Sequence, residues 1–313
     1  MINWFSNSGE KFFNIVSHPF YDLKLVIKFL DKILSQNKRV LYITHNESFV
    51  KEMIEREGII LKGEIIFSSL FLTFDKNKEI DLVIFDDISG DSRIEDGFIF
   101  PFLEEIKCFK KIILSMKELI QKNVIYLVND DLTLFNEPRS IQTKIDLNYD
   151  MPHVVFEFLE WFMINKRKVI LITKDKNSSK NVFRYMKKYI SLSSKLNNLF
   201  IEDDFKSFEE FERNNNEKCY IYITSYDSLN EFENFVMNKH KREENFNIVL
   251  FFASSRVFNY KNLLNLCGIT NFLKDCKNEI IFVSNHENIE ILTTKKISRS
   301  YNQRLWEYGL RKY

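Results

Sequence analysis

The sequence is poor in the residues that form sharp turns, disulfides and metal sites. Its 313 residues include 7 glycines, 4 prolines and 4 cysteines. Glycine is about 2% of the chain against a usual ~7%, so few loops can bring their backbone close to a phosphate. The cysteines contain no CxxC pair, which makes a zinc knuckle or a redox dithiol unexpected; they are Cys108, Cys219, Cys267 and Cys276.

Net charge and long apolar runs are also missing. The 45 Lys and Arg residues nearly cancel the 44 Asp and Glu residues, so only a local basic patch would attract nucleic acid. No apolar run approaches the roughly 20 residues that a bilayer requires, and the N-terminus lacks the order of a signal peptide. We expect a cytoplasmic protein. The five histidines have neither HxH nor HExxH spacing, and no metal site is predicted.

What the sequence does contain is a regular alternation of strand and helix patterns. Short runs of β-branched and aromatic residues alternate with amphipathic stretches, which is typical of βα units around a parallel sheet. Strands are predicted at 12–16, 39–44, 64–71, 80–86, 110–115, 123–128, 168–173, 197–201, 219–224, 247–251 and 279–284. Helices are predicted at 21–36, at 46–57, from His153 onward and within 286–310. The two halves repeat one pattern, which predicts an α/β fold in two domains.

The boundary between the domains is predicted within 129–152. Pro138 and Pro152 interrupt the periodicity there, and a new helix pattern starts at His153. The first domain is accordingly assigned to 1–138 and the second to 139–313.

The best candidate for chemistry is the run DLVIFDDIS. Asp86 and Asp87 follow its buried strand, and ligands of parallel sheets bind at the carboxyl ends of strands. Two adjacent carboxylates there are similar to a Walker B site, which holds Mg²⁺ and orients the attacking water. The same pair also fits an ordinary strand-end turn and helix cap. Both interpretations remain open.

The loop after the first strand argues against nucleotide binding. Residues 17–24 read SHPFYDLK and contain no glycine. Pro19 has no N–H to offer, an aromatic pair fills the place of the phosphates, and Asp22 would repel them. Lys24 falls one position after the expected P-loop lysine. We predict that this loop is not a phosphate cradle and that the protein has no cofactor.

The last third of the chain contains an ordered series of motifs. The segment NIVLFFASSRVFNYKNLLNLCGITNF is followed by EIIFVS and by SRSYNQRLWEYGLRKY. This series resembles the last lobe of the late-competence ComFA helicase family, within superfamily two. Val257 and Phe258 match a Val-Phe element of that family, and Gly268 matches its first glycine. Ile269 and Phe272 stand where the family has two arginines, so the resemblance implies that both charge-stabilising arginines are lost.

The resemblance extends over nearly the whole chain. RVLYITHNESFVKEM is similar to the motif that touches single-stranded DNA, with Thr44 kept and His45 in place of proline. KVILIT and YIYITS are similar to the strands at the fourth and fifth helicase motifs. The resemblance implies two RecA-like lobes, each a mostly parallel sheet flanked by helices. Primosomal helicases are the next nearest family, and the cysteine-rich zinc element of the ComFA family is absent.

Polar residues at the predicted strand ends are the candidate nucleic-acid contacts. Hydroxyl and N–H groups at such places can bond phosphate oxygens without reading bases. An ordinary strand-end contact is the alternative for each of them. The candidates are Thr44, His45, Ser115, Lys117, Thr173, Lys174 and Thr224.

Three functions are compatible with these features. The first is an ATPase-inactive helicase-fold protein that binds single-stranded nucleic acid or a DNA-uptake or DNA-processing partner, because an arginine finger alone is worth roughly 10³ to 10⁵ in rate. The second is a residual ATP-dependent translocase in DNA uptake, in which Lys24, Asp86 and Asp87 hold Mg·ATP. The third is a scaffold without nucleic-acid binding, which the near-zero net charge favours.

Overall fold

The chain folds into two six-stranded sheets, each flanked by helices. The structure is a computed structural model, and it describes residues 1–21, 23–58, 64–68, 79–89, 94–128, 133–190, 198–215, 217, 219–238, 246–272 and 278–312. All of its described strand pairs are parallel. The chain divides into two compact units, and unit 1 comprises Met1–Leu134 with Ser300–Tyr313 while unit 2 comprises Phe135–Arg299.

Unit 1 is built around the first sheet. Its strands are β1 (Phe12–Val16), β2 (Arg39–Thr44), β3 (Glu64–Ser68), β4 (Ile80–Asp86), β5 (Cys108–Ser115) and β6 (Val124–Tyr126), in the spatial order β3-β2-β4-β5-β1-β6. Its helices are α1 (Ile2–Asn7), α2 (Lys24–Leu34), α3 (Glu47–Arg56) and α4 (Asp96–Glu105). The apolar residues of α2 recur at helical spacing and are buried along one stripe. Helix α3 begins after Asn46, whose side chain accepts the Phe49 N–H at 3.0 Å.

Unit 2 is built around the second sheet. Its strands are β7 (Arg139–Gln142), β8 (Lys168–Thr173), β9 (Leu199–Ile201), β10 (Tyr220–Ser225), β11 (Phe246–Phe251) and β12 (Ile280–Ser284), in the spatial order β7-β12-β11-β8-β10-β9. Its helices are α5 (His153–Ile164), α6 (Lys176–Ile190), α7 (Phe208–Asn214), α8 (Leu229–Asn238) and α9 (Tyr260–Phe272). The last helix, α10 (Ile289–Lys312), begins in unit 2 and ends in unit 1.

Both faces of the second sheet are covered, as a parallel sheet requires. On one face, alternate strand residues such as Val169 and Leu171 pack with apolar residues of α5 and α6. On the other face, aromatic residues of α7 meet those of β10. The ring centroids of Phe211 and Tyr220 are 4.8 Å apart, and those of Phe208 and Tyr222 are 5.0 Å apart. The strand ends are therefore fixed between two packed helical layers.

The predicted fold class is confirmed: each unit is a RecA-like α/β lobe with a parallel sheet. The predicted strand 64–71 is observed over Glu64–Ser68, and its last part lies outside the described residues. The compact units differ from the predicted domains at the C-terminal end, because 300–313 pack with unit 1 rather than with 139–299. No described helix is both long enough and apolar enough to cross a membrane.

Strand β7 and helix α1 fall outside the predicted alternation of strands and helical spacers. Strand β7 lies in the expected linker, and it pairs with β12 at the edge of the sheet, where none of its four residues is fully buried. Such a strand carries little apolar signal. Helix α1 is too short for a periodic pattern, but Trp4 and Phe5 are buried, and the Trp4 ring lies 5.1 Å from that of Phe13. Tertiary contacts hold both elements in place.

Candidate nucleotide and nucleic-acid site

Four strands of the first sheet end at the same edge. Val16 lies beside Ser115, and Thr44 lies beside Asp86. Asp86 also lies beside Leu114 of β5. Since these strands are parallel neighbours, their carboxyl ends bring the predicted candidates Thr44, Asp86 and Ser115 together, at the position where ligands of such sheets bind.

The β1–α2 loop, residues 17–24, uses backbone donors within the protein. The Ser17 N–H donates to the Ser115 carbonyl at 3.0 Å, and the Phe20 N–H donates to the Ile88 carbonyl at 3.0 Å. A phosphate cradle needs several N–H groups directed at one open site. At these two positions the N–H groups are bonded to carbonyls instead.

Phe20 fills the interior of this loop. Its side chain is 4% exposed, and its φ is 58°, in the left-handed region that bulky residues rarely adopt. Backbone strain of this kind persists only where the surroundings impose it. Burial of the ring and the bond to Ile88 supply that constraint. The neighbouring Tyr21 donates its hydroxyl to the Val128 carbonyl at 3.2 Å, whereas Asp22 lies outside the described residues.

Tyr301 of α10 closes the same loop. Its hydroxyl lies within hydrogen-bond distance of two carbonyls, that of Ser17 at 3.1 Å and that of Met116. Its ring also contacts His18, with 6.2 Å between the ring centroids. Tyr301, in the C-terminal part of α10, thus covers the carboxyl end of β1 with a neutral side chain.

Lys24 is the first residue of α2 and points to a partner within unit 1. Its ammonium nitrogen lies 3.6 Å from a carboxylate oxygen of Glu57, and its side chain is 53% exposed. An exposed pair of this kind contributes little to stability. In the residual-ATPase interpretation Lys24 holds a phosphate. In the structure it is instead paired with Glu57, the residue that follows α3.

Asp86 is the centre of a buried hydrogen-bond network. Its Oδ2 accepts from the Tyr42 hydroxyl at 2.9 Å and from the Ser89 hydroxyl at 2.6 Å. Its Oδ1 accepts from the N–H groups of Ile88 and Ser89, both at 3.1 Å. A carboxylate offers about four acceptor positions. All four are engaged by these donors, which is the arrangement of a strand-end turn.

Burial and hydrogen bonding act on the Asp86 carboxyl in opposite directions. Burial raises its pKa, while the bonds from Ser89, Ile88 and Tyr42 act to lower it, and the net direction is upward. The pKa of the Tyr42 phenol is raised well above its usual value, first by burial and then by the Asp86 charge. Asp87 is also buried, and its N–H donates to the Leu114 carbonyl at 3.0 Å.

The predicted contacts at the end of β2 shape the entry into α3. The Thr44 hydroxyl oxygen accepts the Asn46 N–H at 3.1 Å and is 3% exposed. Its proton is not committed by this bond, because an accepted hydrogen bond uses only a lone pair. His45 follows it and is half-buried.

The predicted contacts after β5 are engaged within unit 1. The Ser115 hydroxyl accepts from the Asn14 side-chain amide at 2.7 Å and donates to the Lys117 carbonyl at 2.7 Å. The Lys117 ammonium lies 2.6 Å from a carboxylate oxygen of Asp96, and its side chain is 38% exposed. The Ser115 hydroxyl therefore already donates its hydrogen bond to a backbone carbonyl, and the Lys117 ammonium is already paired with Asp96.

In unit 2, the candidates Thr173 and Lys174 follow β8. The buried Thr173 hydroxyl donates to the Asp175 carbonyl at 2.9 Å and lies 2.8 Å from the Ser179 hydroxyl, so it ties the strand to the first turn of α6. The Lys174 ammonium lies 4.9 Å from the ring centroid of Phe252. This lysine is half-buried.

Thr224 meets a carboxylate. Its hydroxyl donates to Glu202 Oε2 at 2.8 Å, and the Ser225 N–H donates to the same oxygen at 3.1 Å. A hydroxyl beside an N–H at a strand end is the donor pair expected to hold a phosphate oxygen. Here an internal anion occupies both donors, and its charge would repel a phosphate at that position.

Helix α9 carries the two positions where the helicase resemblance expects arginine. Ile269 is fully buried, and its neighbours Leu266 and Cys267 are fully buried as well. The side chain of Phe272 lies outside the described residues. At position 269 the helix therefore faces the protein interior.

Sequence patterns missed three residues that shape these sites: Tyr42, Glu202 and Tyr301. Tyr42 has the pattern of an ordinary strand residue, and Tyr301 lies in a helix without an apolar stripe that would single it out. Glu202 opens an acidic EDD turn, a composition typical of solvent-exposed loops. Among the described residues, no group of three or more His, Cys, Asp or Glu is placed to hold a metal ion.

Comparisons with known proteins show a likeness in fold. No family model matches the chain, and no curated protein matches it. Among solved structures it is similar to the DUF1998 helicase MrfA bound to DNA, at 11% identity and a TM-score of 0.45, covering 97% of this chain and 47% of that one. It is also similar to a Sulfolobus solfataricus SWI2/SNF2 ATPase core in complex with dsDNA, at 10% identity and a TM-score of 0.32, covering 96% and 92%.

A third similar structure is RecG bound to a three-way DNA junction, at 12% identity and a TM-score of 0.34, covering 94% of this chain and 40% of that one. The chain spans about half the length of the MrfA chain that it matches. The fold assignment rests on the strand order and the parallel pairing of the two sheets.

Proposed function

We propose that this chain is a helicase-fold binding protein that does not hydrolyse ATP. The observation that carries the proposal is the β1–α2 loop, where the Ser17 and Phe20 N–H groups are bonded to carbonyls and the Phe20 ring is buried. A nucleotide phosphate would have to break those bonds and displace the ring. The saturated Asp86 carboxylate supports the same conclusion, because Mg²⁺ would have to compete with four donors.

The proposed ligand is single-stranded nucleic acid or a DNA-uptake or DNA-processing partner. This part rests on the resemblance of the ordered motifs to the ComFA family. The Thr44 hydroxyl proton and the ammonium groups of Lys117 and Lys174 are the groups proposed to meet phosphate oxygens. Each lysine would exchange its present contact for a phosphate, at small cost for the partly exposed Lys117–Asp96 pair.

Calorimetry tests the proposal with two ligands on the intact chain. We expect no heat of binding with Mg·ATP and saturable binding with a single-stranded oligonucleotide. The affinity should fall as salt rises, because neutralised phosphates release counterions. Saturable Mg·ATP binding together with steady phosphate release would refute the proposal.

A scaffold that binds no nucleic acid is the second candidate, and one observation favours it. Three of the predicted phosphate-contacting hydroxyls donate within the protein: Ser115 to a carbonyl, Thr173 to a carbonyl and Thr224 to Glu202. Calorimetry separates the two candidates, since the scaffold binds neither ligand. Thr44→Val is the sharper probe, because the Thr44 hydroxyl, unlike those of Ser115, Thr173 and Thr224, donates to no acceptor among the described residues, and valine is close to threonine in volume.

A further inference from the structure

One side of helix α5 in unit 2 exposes a stripe of large apolar side chains. Val154, Trp161 and Ile164 are 41%, 42% and 57% exposed, and Phe158 between them is half-buried. Successive members of the stripe are four, three and three residues apart, so they follow one another along a single face of the helix. The other side of α5, which carries Leu159, packs into the core of unit 2.

Helix α2 shows the usual composition of an exposed helix face. It buries its apolar stripe and exposes mainly charged side chains, among them Lys28, Asp31 and Lys32. Helix α5 differs, because it is apolar on its exposed side as well as on its buried side. Helices of that kind are normally covered on both sides, and a contiguous exposed apolar stripe marks an interaction surface.

Charged groups of both signs border this α5 stripe. The central carbon of the Arg167 guanidinium lies 4.7 Å from the centroid of the Trp161 ring, and its Nη1 lies 3.5 Å from Asn247 Oδ1. The Glu157 side chain is 62% exposed, and its Oε1 lies 3.4 Å from His153 Nδ1. A carboxylate beside the stripe disfavours a phosphate backbone or an anionic lipid surface as the occupant. The mixture of charges suits a protein surface that carries both signs.

The α5 stripe is nearly symmetric about the middle of the helix. Val154 and Ile164 each lie five residues from Leu159, on opposite sides of it, and Phe158 and Trp161 lie one and two residues from it. A second α5 laid antiparallel across this midpoint therefore places Val154 against Ile164 and Phe158 against Trp161. The stripe is its own complement in that arrangement.

The charges match in the same antiparallel arrangement. Position 157 of one copy lies opposite position 161 of the other, and the Arg167 guanidinium lies over the Trp161 ring. The Glu157 carboxylate of each copy is thus brought to the guanidinium of the other. Antiparallel pairing also sets the positive N-terminal end of each helix beside the negative C-terminal end of its neighbour.

We propose that the α5 stripe binds a second copy of this chain, so that two copies form a twofold-symmetric dimer with antiparallel α5 helices. Such dimers use one self-complementary surface on both subunits and are the commonest assemblies of soluble proteins. Tryptophan and arginine at the centre of the surface are the residues that dominate binding energy in protein interfaces. A helix of about 18 Å gives a smaller interface than permanent dimers have, so we expect a reversible dimer with a dissociation constant on the order of 10 µM. The inference does not depend on the proposed function, which uses no residue of α5.

Sedimentation equilibrium of the intact chain, at concentrations from about 1 to about 500 µM, tests the proposal. We expect the average mass to rise with concentration from that of one chain toward that of two, and to fall again on dilution. The mass of a single chain over the whole range overturns the proposal. A mass that rises beyond two chains overturns it as well, because a twofold-symmetric contact closes at the dimer.

Ile164→Glu tests whether the dimer forms through the α5 stripe. We expect it to weaken dimerisation at least tenfold, because the new carboxylate would be buried against Val154 of the second copy. Leu25→Glu is the matched control: Leu25 is 46% exposed on α2, and this variant should dimerise within about twofold of wild type. Wild-type dimerisation of Ile164→Glu overturns the proposal. Should thermal unfolding show that Ile164→Glu does not fold, Val154→Glu replaces it, with the same expected loss and the same contradicting result.

Glu157→Arg tests the antiparallel register of the two helices. It sets an arginine against Arg167 of the second copy, and we expect dimerisation to weaken at least threefold through the repulsion of like charges. Glu209→Arg is its control, since Glu209 pairs with Arg213 four residues along the exposed side of α7 and lies outside the stripe. Wild-type dimerisation of Glu157→Arg, or an equal loss in both variants, contradicts the proposed pairing.

Discussion

Asp86 shows how a residue at a strand end can look catalytic and yet be held by structural bonds. Four donors from Tyr42, Ile88 and Ser89 converge on its carboxylate in the interior. The position of Asp86 at the end of β4 suggests a metal ligand, but it also brings the carboxylate within reach of these four donors. The position of the carboxylate can be read from the sequence, whereas the donors become visible only in the folded structure.

We expect Asp86→Ala to destabilise unit 1 by on the order of 3 kcal/mol. The reason is that two hydroxyls and two N–H groups lose their acceptor inside the protein, and each unsatisfied group costs about 1–3 kcal/mol, only partly relieved by water. Urea unfolding measures the change. Asp31→Ala on the exposed side of α2 is the control and should lie within about 0.5 kcal/mol of wild type. Equal stability of both variants would contradict the structural role.

Lys111 is a fully buried lysine on β5 that predicts a pH dependence. Burial lowers its pKa from 10.5 to about 8, and its ammonium donates to the Leu103 carbonyl. Below pH 8 both the folded and the unfolded chain hold the proton. Between about 8 and 10.5 only the unfolded chain holds it, so the free energy of unfolding should rise with pH in this window.

Lys111→Met should remove this rise and be more stable than wild type at pH 7, because a buried charge is replaced by an apolar chain of similar length. The lowered pKa of Lys111 corresponds to a rise in the wild-type free energy of unfolding of on the order of 3 kcal/mol between about pH 8 and 10.5. Denaturant unfolding at a series of pH values gives the difference curve. Lys107→Met, at an exposed position before the same strand, should keep the wild-type slope. A flat wild-type curve would be inconsistent with the lowered pKa.

At the scale of elements, α9 is a buried helix where the helicase resemblance expects a charged one. Ile269 is fully buried, so an arginine there would place its charge in the interior. We expect Ile269→Arg to lower stability by at least ~3 kcal/mol and to produce no phosphate release. Thermal unfolding and a phosphate-release assay measure both.

Val257→Arg is the control for that substitution, because Val257 is 45% exposed and should accept the same side chain with little change. If Ile269→Arg unfolds at the wild-type temperature, the helix presents position 269 to solvent rather than to the core. If it also releases phosphate, the proposed absence of hydrolysis is wrong.

At the scale of the whole molecule, we expect the protein not to change its conformation when Mg·ATP is added. An ATP-driven helicase uses nucleotide to draw its lobes together and step. With the β1–α2 loop packed by Phe20 and closed by Tyr301, Mg·ATP should leave the small-angle scattering profile unchanged. Turnover should stay below roughly 0.1 s⁻¹, about a tenth of the low end for typical enzymes. A nucleotide-dependent change in the profile, with turnover above that rate, would refute it.

The sequence by itself determined the fold class and most of the strands. Alternating apolar strands and amphipathic helices specify burial on both faces of a parallel sheet, and that pattern is local, so it can be read without the structure. The absence of glycine in residues 17–24 likewise excluded a glycine-rich phosphate loop. The edge strand β7 was not predicted from the sequence, because its stability comes from pairing with β12 rather than from its own residues.

The tertiary structure alone decided what the polar strand-end residues do. Thr224 is bonded to Glu202, Asp86 to Tyr42 and Ser17 to Tyr301, pairs separated by 22, 44 and 284 positions in the chain. No local pattern encodes such pairs, because hydrogen-bond partners are chosen by distance and direction in three dimensions. A hydroxyl at a strand end suits a phosphate or a neighbouring acceptor equally well, and only the packing of the sheet shows which of the two the protein supplies.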